Sequence, residues 1–547
     1  MRKTCQWLIS PLGNNSLKLL QVGIILTISI LPIFFKYPFK INLFLAWEGA
    51  YRLYLGQIPH AEYYLPMGFG FWIIPALFFR LFGPSLFTLI ITQSFINVIS
   101  GLAFMGILDR LKVPPAKSFL ALLVFCLSFV LVNFWPWYNH TVVVFQLIGL
   151  YFLLSYIFSD SNNRKKYYFI LASFFSILAF FTKQDGGGFA IILLLVVLLT
   201  NAFLTRTFKE ILYFFLLSIF FILLFTLPFY GSSLSYWFNY GQFPHNSRIN
   251  LFDIVNSLFK DSQWIKFYLI AITIIVLGNF KTILINDKRQ LIFLIITLFI
   301  LGQAIVIQVT SYIPHNTNIY FHSFATAFIL ASLNLKISFS KPIVLITLCF
   351  LILIWWSSDS WRYGKRILTR AFPDLTEVQG TSGTDQVSIS TWSKTDRASV
   401  TRSRWKTSNL KSFKNIYLPE ETIQGIHQIL SLDIVKTKDR MELKVLNMSE
   451  LTPLAYEIGY TPLIKHPLWY HQNVAIFQKE IDEICTNIEN GYYDLVLFQT
   501  IPNLNNFYPE QVRNCLHSVY NMENKFLAPR ARENSFVEVY IRSQTIN

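Results

Sequence analysis

The chain has 547 residues, 53% of them hydrophobic and only 14% charged, with a formal net charge of +16. An ordinary soluble protein carries about 25% charged residues, so this composition excludes one. It points to a polytopic α-helical membrane protein, with basic charge that is accounted for by loop placement and gives no reason to expect a nucleic-acid partner.

In chain order, residues 1–18 form a cytoplasmic N-terminus. Its n-region is weak and no small-residue cleavage site follows, so the first apolar segment stays as an anchor. Apolar runs near bilayer length occur at 19–36, 85–108, 118–135, 141–158, 167–182, 187–203, 211–229, 264–280, 290–309, 319–334 and 342–357. They predict about eleven transmembrane helices within a membrane domain of residues 19–357. Segment 67–83 is short, contains Arg80, is interrupted by Pro75 and ends at Gly83 and Pro84; it reads as interfacial or re-entrant.

The distribution of basic residues supports that choice, because cytoplasmic loops hold the excess of Lys and Arg. With eleven spans and an inside N-terminus, the clusters Arg110, Lys112, Lys117, then Arg164, Lys165, Lys166, then Lys281, Lys288, Arg289 all fall inside. A full crossing at 67–83 would place them outside.

The first outer loop, 37–84, contains Glu48 in FLAWEGAYRLYLG and Glu62 in HAEYYLP. For Glu48 the structural alternative to a catalytic role is an i,i+4 ion pair with Arg52; for Glu62 it is a solvated loop carboxylate. A second outer turn, FTKQDGGG, offers Lys183, Gln184 and Asp185, with three glycines that allow close backbone approach. Two further outer loops hold His245 and Arg248, and His315, Tyr320 and His322. Cations and amides there suit a lipid phosphate, with snorkelling to headgroups as the alternative for Arg248.

After the last span, 358–415 is rich in Ser, Thr, Asp, Arg and Lys and reads as a linker or mobile loop. Residues 416–547 then alternate helix and strand: a helix in LPEETIQGIHQIL, a strand in MELKVLN, a helix from Ser449 to about Gly459, a helix at 474–489, a strand at 493–498, a helix at 509–521 and strands at 524–528 and 536–542. This predicts a soluble α/β domain outside the cytoplasm. It contains Cys485 and Cys515, one in each of two predicted helices, for which a disulfide and two buried thiols both remain open. His466, Trp469, Tyr470 and His471 suit stacking on sugar rings or a plain aromatic core. No Gly-rich phosphate loop follows a strand, so no nucleotide-sugar site is expected.

The first outer loop resembles that of the GT-C membrane glycosyltransferases, specifically the dolichyl-phosphate-mannose-protein mannosyltransferase-like group, family 39. Glu48-Gly49, Leu55-Gly56-Gln57-Ile58-Pro59, Glu62, Pro66, Leu81-Phe82-Gly83 and the turn Lys183-Gln184 fall in its order and spacing. The resemblance spans about 19–357. It departs at Trp47, where the family often has Asp before the Glu, and at His60, where it has Tyr after the Pro.

The resemblance implies transfer of a sugar from a polyprenyl-phosphate donor to a lipid, glycan or protein acceptor at the extracytoplasmic face of a plasma (inner) membrane, with inversion. Glu48 or Glu62 would be the base. Lys183, Arg248 and His315 would hold the donor phosphate, and Arg52, His60, Gln184, Asp185, Tyr320 and His322 would line the substrate. No His-Asp cluster assigns a metal, and a divalent cation is left open. A transporter or flippase of lipid-linked sugars would need ionisable groups near the bilayer centre. A catalytically inactive GT-C-like scaffold is kept in view by Trp47.

Overall fold

The fold is that of a computed structural model, which describes residues 8, 10–40, 42–64, 67–130, 134–159, 162–230, 250–310, 320–333, 335–358, 361, 364, 404–472, 475–501, 507–530 and 535–542. The chain divides into two compact units. One comprises Met1–Phe34, Gln93–Leu227 and Arg248–Leu368; the other comprises Phe35–Thr92, Pro228–Ser247 and Thr369–Asn547.

Helices occupy all eleven predicted apolar segments. Asn14–Phe34, Leu86–Arg110, Tyr138–Phe158, Gln184–Thr205, Lys209–Phe229 and Lys288–Thr310 are each long and apolar enough to cross a membrane, and Leu251–Asp261 with Gln263–Gly278 passes the same test as a pair bent by 78°. The chain is a polytopic membrane protein. Pro115–Leu127, Phe321–Ser332 and Pro342–Trp355 are shorter apolar helices; Pro115 and Pro342 stand at their first turns, where a missing N–H costs nothing.

In the first unit the helices meet through rings, small residues and buried amides. Phe104 stacks on Phe125 at 4.6 Å and meets Phe324 edge-on at 5.0 Å. Gln146 and Gln303 exchange two hydrogen bonds of 2.7 and 2.8 Å from helices far apart in sequence. Each such interhelical bond contributes about 0.6–2 kcal/mol in an apolar bundle. Gly187 packs on the end of the preceding helix, where a Cβ would lie 2.1 Å from the Phe180 Cα, so the middle glycine of FTKQDGGG serves helix packing.

The second unit joins loop 37–84 to the C-terminal region. Strand β1 (Tyr37–Pro38) runs parallel to β4 (Ile416–Pro419), and β2 (Tyr63–Tyr64) runs parallel to β6 (His466–Pro467). Strand β3 (Trp405–Thr407) pairs antiparallel with β4, so regular structure begins within the segment read as linker. Two helices of the loop, Leu43–Tyr54 and Gly70–Phe82, pack so closely that a Cβ on Gly49 would sit 2.0 Å from the Trp72 ring. The 13-residue helix Gly70–Phe82 is about 20 Å long, short of the ~30 Å hydrocarbon core.

The C-terminal sheet has the order β5-β7-β9-β8, with β5 (Val445–Met448) parallel to β7 (Leu495–Thr500) and antiparallel pairs β7–β9 and β8–β9. Strands β8 and β9 are Tyr520–Leu527 and Phe536–Arg542. Leu495, Val496 and Leu497 are all fully buried because β7 lies inside the sheet with both faces covered. The helices Glu420–Ser431, Gln478–Glu489 and Glu510–Val519 stand close to their predicted positions. Ser449 differs: its hydroxyl accepts from Leu451 N in a turn, and the helix starts only at Leu454, ending at Gly459 with φ 92°.

Cys485 and Cys515 form a disulfide linking the helices Gln478–Glu489 and Glu510–Val519. The bridge closes a loop with a sequence separation of 30. Cys485→Ser should cost about 3–4 kcal/mol, mostly by freeing the unfolded chain. Thermal unfolding of the full chain with and without reductant checks this: wild type should drop on reduction to the level of the variant, and the variant should not respond.

Candidate functional site

The Leu43–Tyr54 helix carries Glu48 and Arg52 one turn apart, and both are buried. Arg52 Nε and Nη2 donate to Glu48 Oε1 at 3.0 and 2.8 Å. Its Nη1 donates to Gln57 Oε1 at 3.1 Å and to the Leu463 carbonyl at 2.8 Å, and Gln57 Nε2 donates to the Pro462 carbonyl at 2.9 Å. The guanidinium therefore fixes the carboxylate and ties the loop to the C-terminal region. Burial pushes the Glu48 carboxyl above the usual carboxylate range, while the charge and hydrogen bonds of Arg52 pull it back. Such a carboxylate is a stronger base than an exposed one.

Adjacent helical residues point about 100° apart, and Trp47 shows the consequence. Its ring is fully buried, stacks on Tyr51 at 4.4 Å and donates from Nε1 to the Pro84 carbonyl at 3.0 Å. A carboxylate at position 47 would face this packed interior, whereas Glu48 faces Arg52 and the C-terminal residues.

Glu62 is half-buried, and its Oε2 accepts from Ile58 N at 2.6 Å, closing the turn 58–62. Its main-chain carbonyl accepts from Lys465 N at 2.6 Å beside β6. His60 has φ 62° and packs edge-on against Phe69 at 6.4 Å and Phe229 at 5.6 Å.

Burial lowers His60 to about 4, and lowers His466 and His471 likewise to about 4, with the Arg52 charge adding to His466. All three are neutral at pH 7 and offer no cation to a phosphate. Because the unfolded chain binds protons at its ordinary histidine value near 6.5 and the folded chain does not, stability is present above that value and falls as pH drops toward 4. The slope approaches about 1.4 kcal/mol per pH unit per histidine, offset in part by Glu48, which acts in the opposite sense. Unfolding midpoints from pH 7 to pH 4.5 should fall less steeply in His466→Phe than in wild type.

Several tyrosines surround the pair, and of these only Tyr470 is singled out by the sequence. Tyr63 lies under Arg52, with the guanidinium 5.4 Å from its ring centre. Burial pushes the phenols of Tyr63, Tyr460, Tyr470 and Tyr508 upward, and the charge of Glu48 adds to each. Only the pairing of β2 with β6 and the approach of residues 460–470 bring them to Glu48, and a linear pattern of isolated tyrosines gives no signal of that.

The first unit contains the remaining described candidates. Lys183 Nζ bonds to Asp185 Oδ2 at 2.9 Å, and Asp185 Oδ1 accepts from Gly186 N at 2.6 Å. Both stand at the N-terminus of Gln184–Thr205, with Gln184 as its first residue. Tyr320 lines a small cavity of about 30 Å³ together with Val143, Leu147, Gln146, Gln303 and Gln308. His322 is fully buried, bonded to Tyr268 Oη at 3.1 Å and packed on Trp356 at 4.4 Å, so it belongs to an aromatic core. His245, Arg248 and His315 lie outside the described residues. Among the described residues, no group of three or more His, Cys, Asp or Glu side chains is arranged to hold a metal ion.

No protein-family model matches the sequence, and no curated protein matches it. Among solved structures the chain is similar to ArnT from Cupriavidus metallidurans in the apo state, with a TM-score of 0.50 and 11% identity over 96% of this chain and 98% of that one. It is also similar to ArnT bound to undecaprenyl phosphate, with a TM-score of 0.49 and 12% identity over the same shares. The likeness to the apo structure gives the fold, which is that of ArnT along nearly the whole chain.

Proposed function

We propose that this chain is an integral-membrane glycosyltransferase of the family 39 type, moving a sugar from a polyprenyl-phosphate donor to a hydroxyl acceptor at the extracytoplasmic face. The observation that carries the proposal is the buried Glu48 carboxylate, clamped by Arg52 and ringed by tyrosines, on a GT-C fold. Glu48 takes the proton of the acceptor hydroxyl as that oxygen attacks the anomeric carbon. The bond from the anomeric carbon to the phosphate oxygen breaks, and the polyprenyl phosphate leaves with the electron pair. One displacement inverts the anomeric configuration and needs no covalent enzyme intermediate.

Burial raises the proton affinity of Glu48 against the opposing pull of Arg52, and a raised proton affinity suits a general base. Lys183 is our candidate for neutralising the developing phosphate charge, with Arg248 and His315 as further candidates. The outward orientation is supported by the basic inner loops and by the Cys485–Cys515 disulfide, which belongs to an oxidising compartment.

Purified protein in lipid nanodiscs, given a panel of polyprenyl-phosphate sugars and hydroxyl acceptors, tests the proposal. Release of polyprenyl phosphate with a product of inverted configuration supports it. Movement of an intact lipid-linked sugar between leaflets of proteoliposomes, with no bond cleaved, would establish a transporter instead.

A further inference from the structure

Beside the carboxyl ends of β5 and β7 lie buried polar atoms with no hydrogen-bond partner among the described residues. Open α/β sheets bind ligands at this end of their parallel strands. Here Trp469 Nε1, His471 Nδ1 and Tyr508 Oη are buried without a hydrogen-bond partner among the described residues. Tyr508 is only 5% exposed. An unpaired buried polar group costs about 1–3 kcal/mol, and buried Tyr and Trp normally find a partner, so three on contiguous rings call for an occupant.

The rings form one cluster. Phe507 meets Trp469 at 6.3 Å, His471 at 5.5 Å and Tyr508 at 4.9 Å. Phe507 also meets Phe44 edge-on at 6.5 Å, and Phe44 stands one helical turn before Glu48, on the same face of its helix. Tyr508 lies close enough to Glu48 to sense its charge. Trp469 and His471 are themselves partly exposed, so the cluster is open on one side.

Resting on the glycosyltransferase reading above, we propose that Trp469, His471, Phe507 and Tyr508 form the acceptor subsite and that the acceptor is a saccharide. The chemistry of the cluster selects that class. Its unsatisfied groups sit on neutral rings, and the guanidinium groups nearby are engaged, Arg52 by Glu48 and Arg530 by Glu450. Among the described residues, an anionic headgroup or phosphate would find no unengaged guanidinium here. A sugar presents C–H faces that stack on aromatic rings and hydroxyls that pair with ring N–H and O–H groups. One of its hydroxyls then meets Glu48, beside the Phe44–Phe507 contact.

Saturation-transfer NMR on the full chain in nanodiscs, without donor, tests the subsite. The probes are methyl glycosides of mannose, glucose, galactose and N-acetylglucosamine, their disaccharides, and a Ser/Thr-containing peptide. Transfer to the ring protons of a saccharide is expected, with affinity weakened about tenfold in Tyr508→Phe and in Trp469→Phe; Tyr508→Phe keeps the ring and Trp469→Phe keeps an aromatic face, and an intact disulfide with an unchanged unfolding midpoint separates lost binding from lost fold. No transfer to any saccharide, transfer to the peptide alone, or unchanged binding in both variants overturns the subsite. Polyprenyl-phosphate sugars are then added to the same samples and turnover is read: saccharide binding without turnover refutes the enzymatic reading and leaves the saccharide site standing.

Discussion

Glu48→Gln lowers sugar transfer by about 10²–10⁴-fold, the range that a positioned general base contributes. The substitution is nearly isosteric, and the amide oxygen can still accept from Arg52 Nε and Nη2, so the substrate meets nearly the same surface. What is lost is the group that receives the acceptor proton. The effect falls on kcat and kcat/KM together, because the interaction strengthens only as the hydroxyl ionises. Steady-state kinetics with one donor and one acceptor measure it. A fall confined to KM would make Glu48 a binding group.

Arg52→Ala destabilises the protein by about 3–5 kcal/mol, the cost of leaving one partner of a buried ion pair uncompensated. Arg52 is 3% exposed, and its four hydrogen bonds reach Glu48, Gln57 and the Leu463 carbonyl. Its removal strands the Glu48 carboxylate and cuts the loop from residues 462–463 together. Unfolding of the double variant Glu48→Gln with Arg52→Ala should show a loss smaller than the sum of the single losses, since the two side chains share one interaction. A single-variant loss below about 1 kcal/mol would mark the pair as no stronger than a surface ion pair.

The sequence displays its membrane helices plainly because bilayer-length apolar runs need no tertiary context. The 67–83 segment, with Pro75 and Arg80, forms a helix of 13 residues. The α/β alternation from 416 onward also follows local periodicity. The short strands β1, β2 and β6 carry no readable pattern, each being two residues long, yet they join the first outer loop to the C-terminal region.

That hidden pairing limits what the candidate site disclosed. Glu48 stood out as a charge among aromatics, and its i,i+4 relation to Arg52 was visible; the ion pair exists and holds the carboxylate. The roles of Leu463, Tyr470 and Tyr508 around it depend on residues more than 400 positions away, which no local spacing encodes. Trp47 reads as a missing acid only along the sequence; in the fold it points into the packing of its helix against Gly70–Phe82.

The most direct measurement is release of polyprenyl phosphate by wild type, Glu48→Gln and Glu62→Gln in nanodiscs under one condition. Turnover by wild type, near-complete loss in Glu48→Gln and retention in Glu62→Gln is the predicted result. Loss in Glu62→Gln with full activity in Glu48→Gln would contradict the assignment of the base, and no turnover by wild type would contradict the enzyme itself.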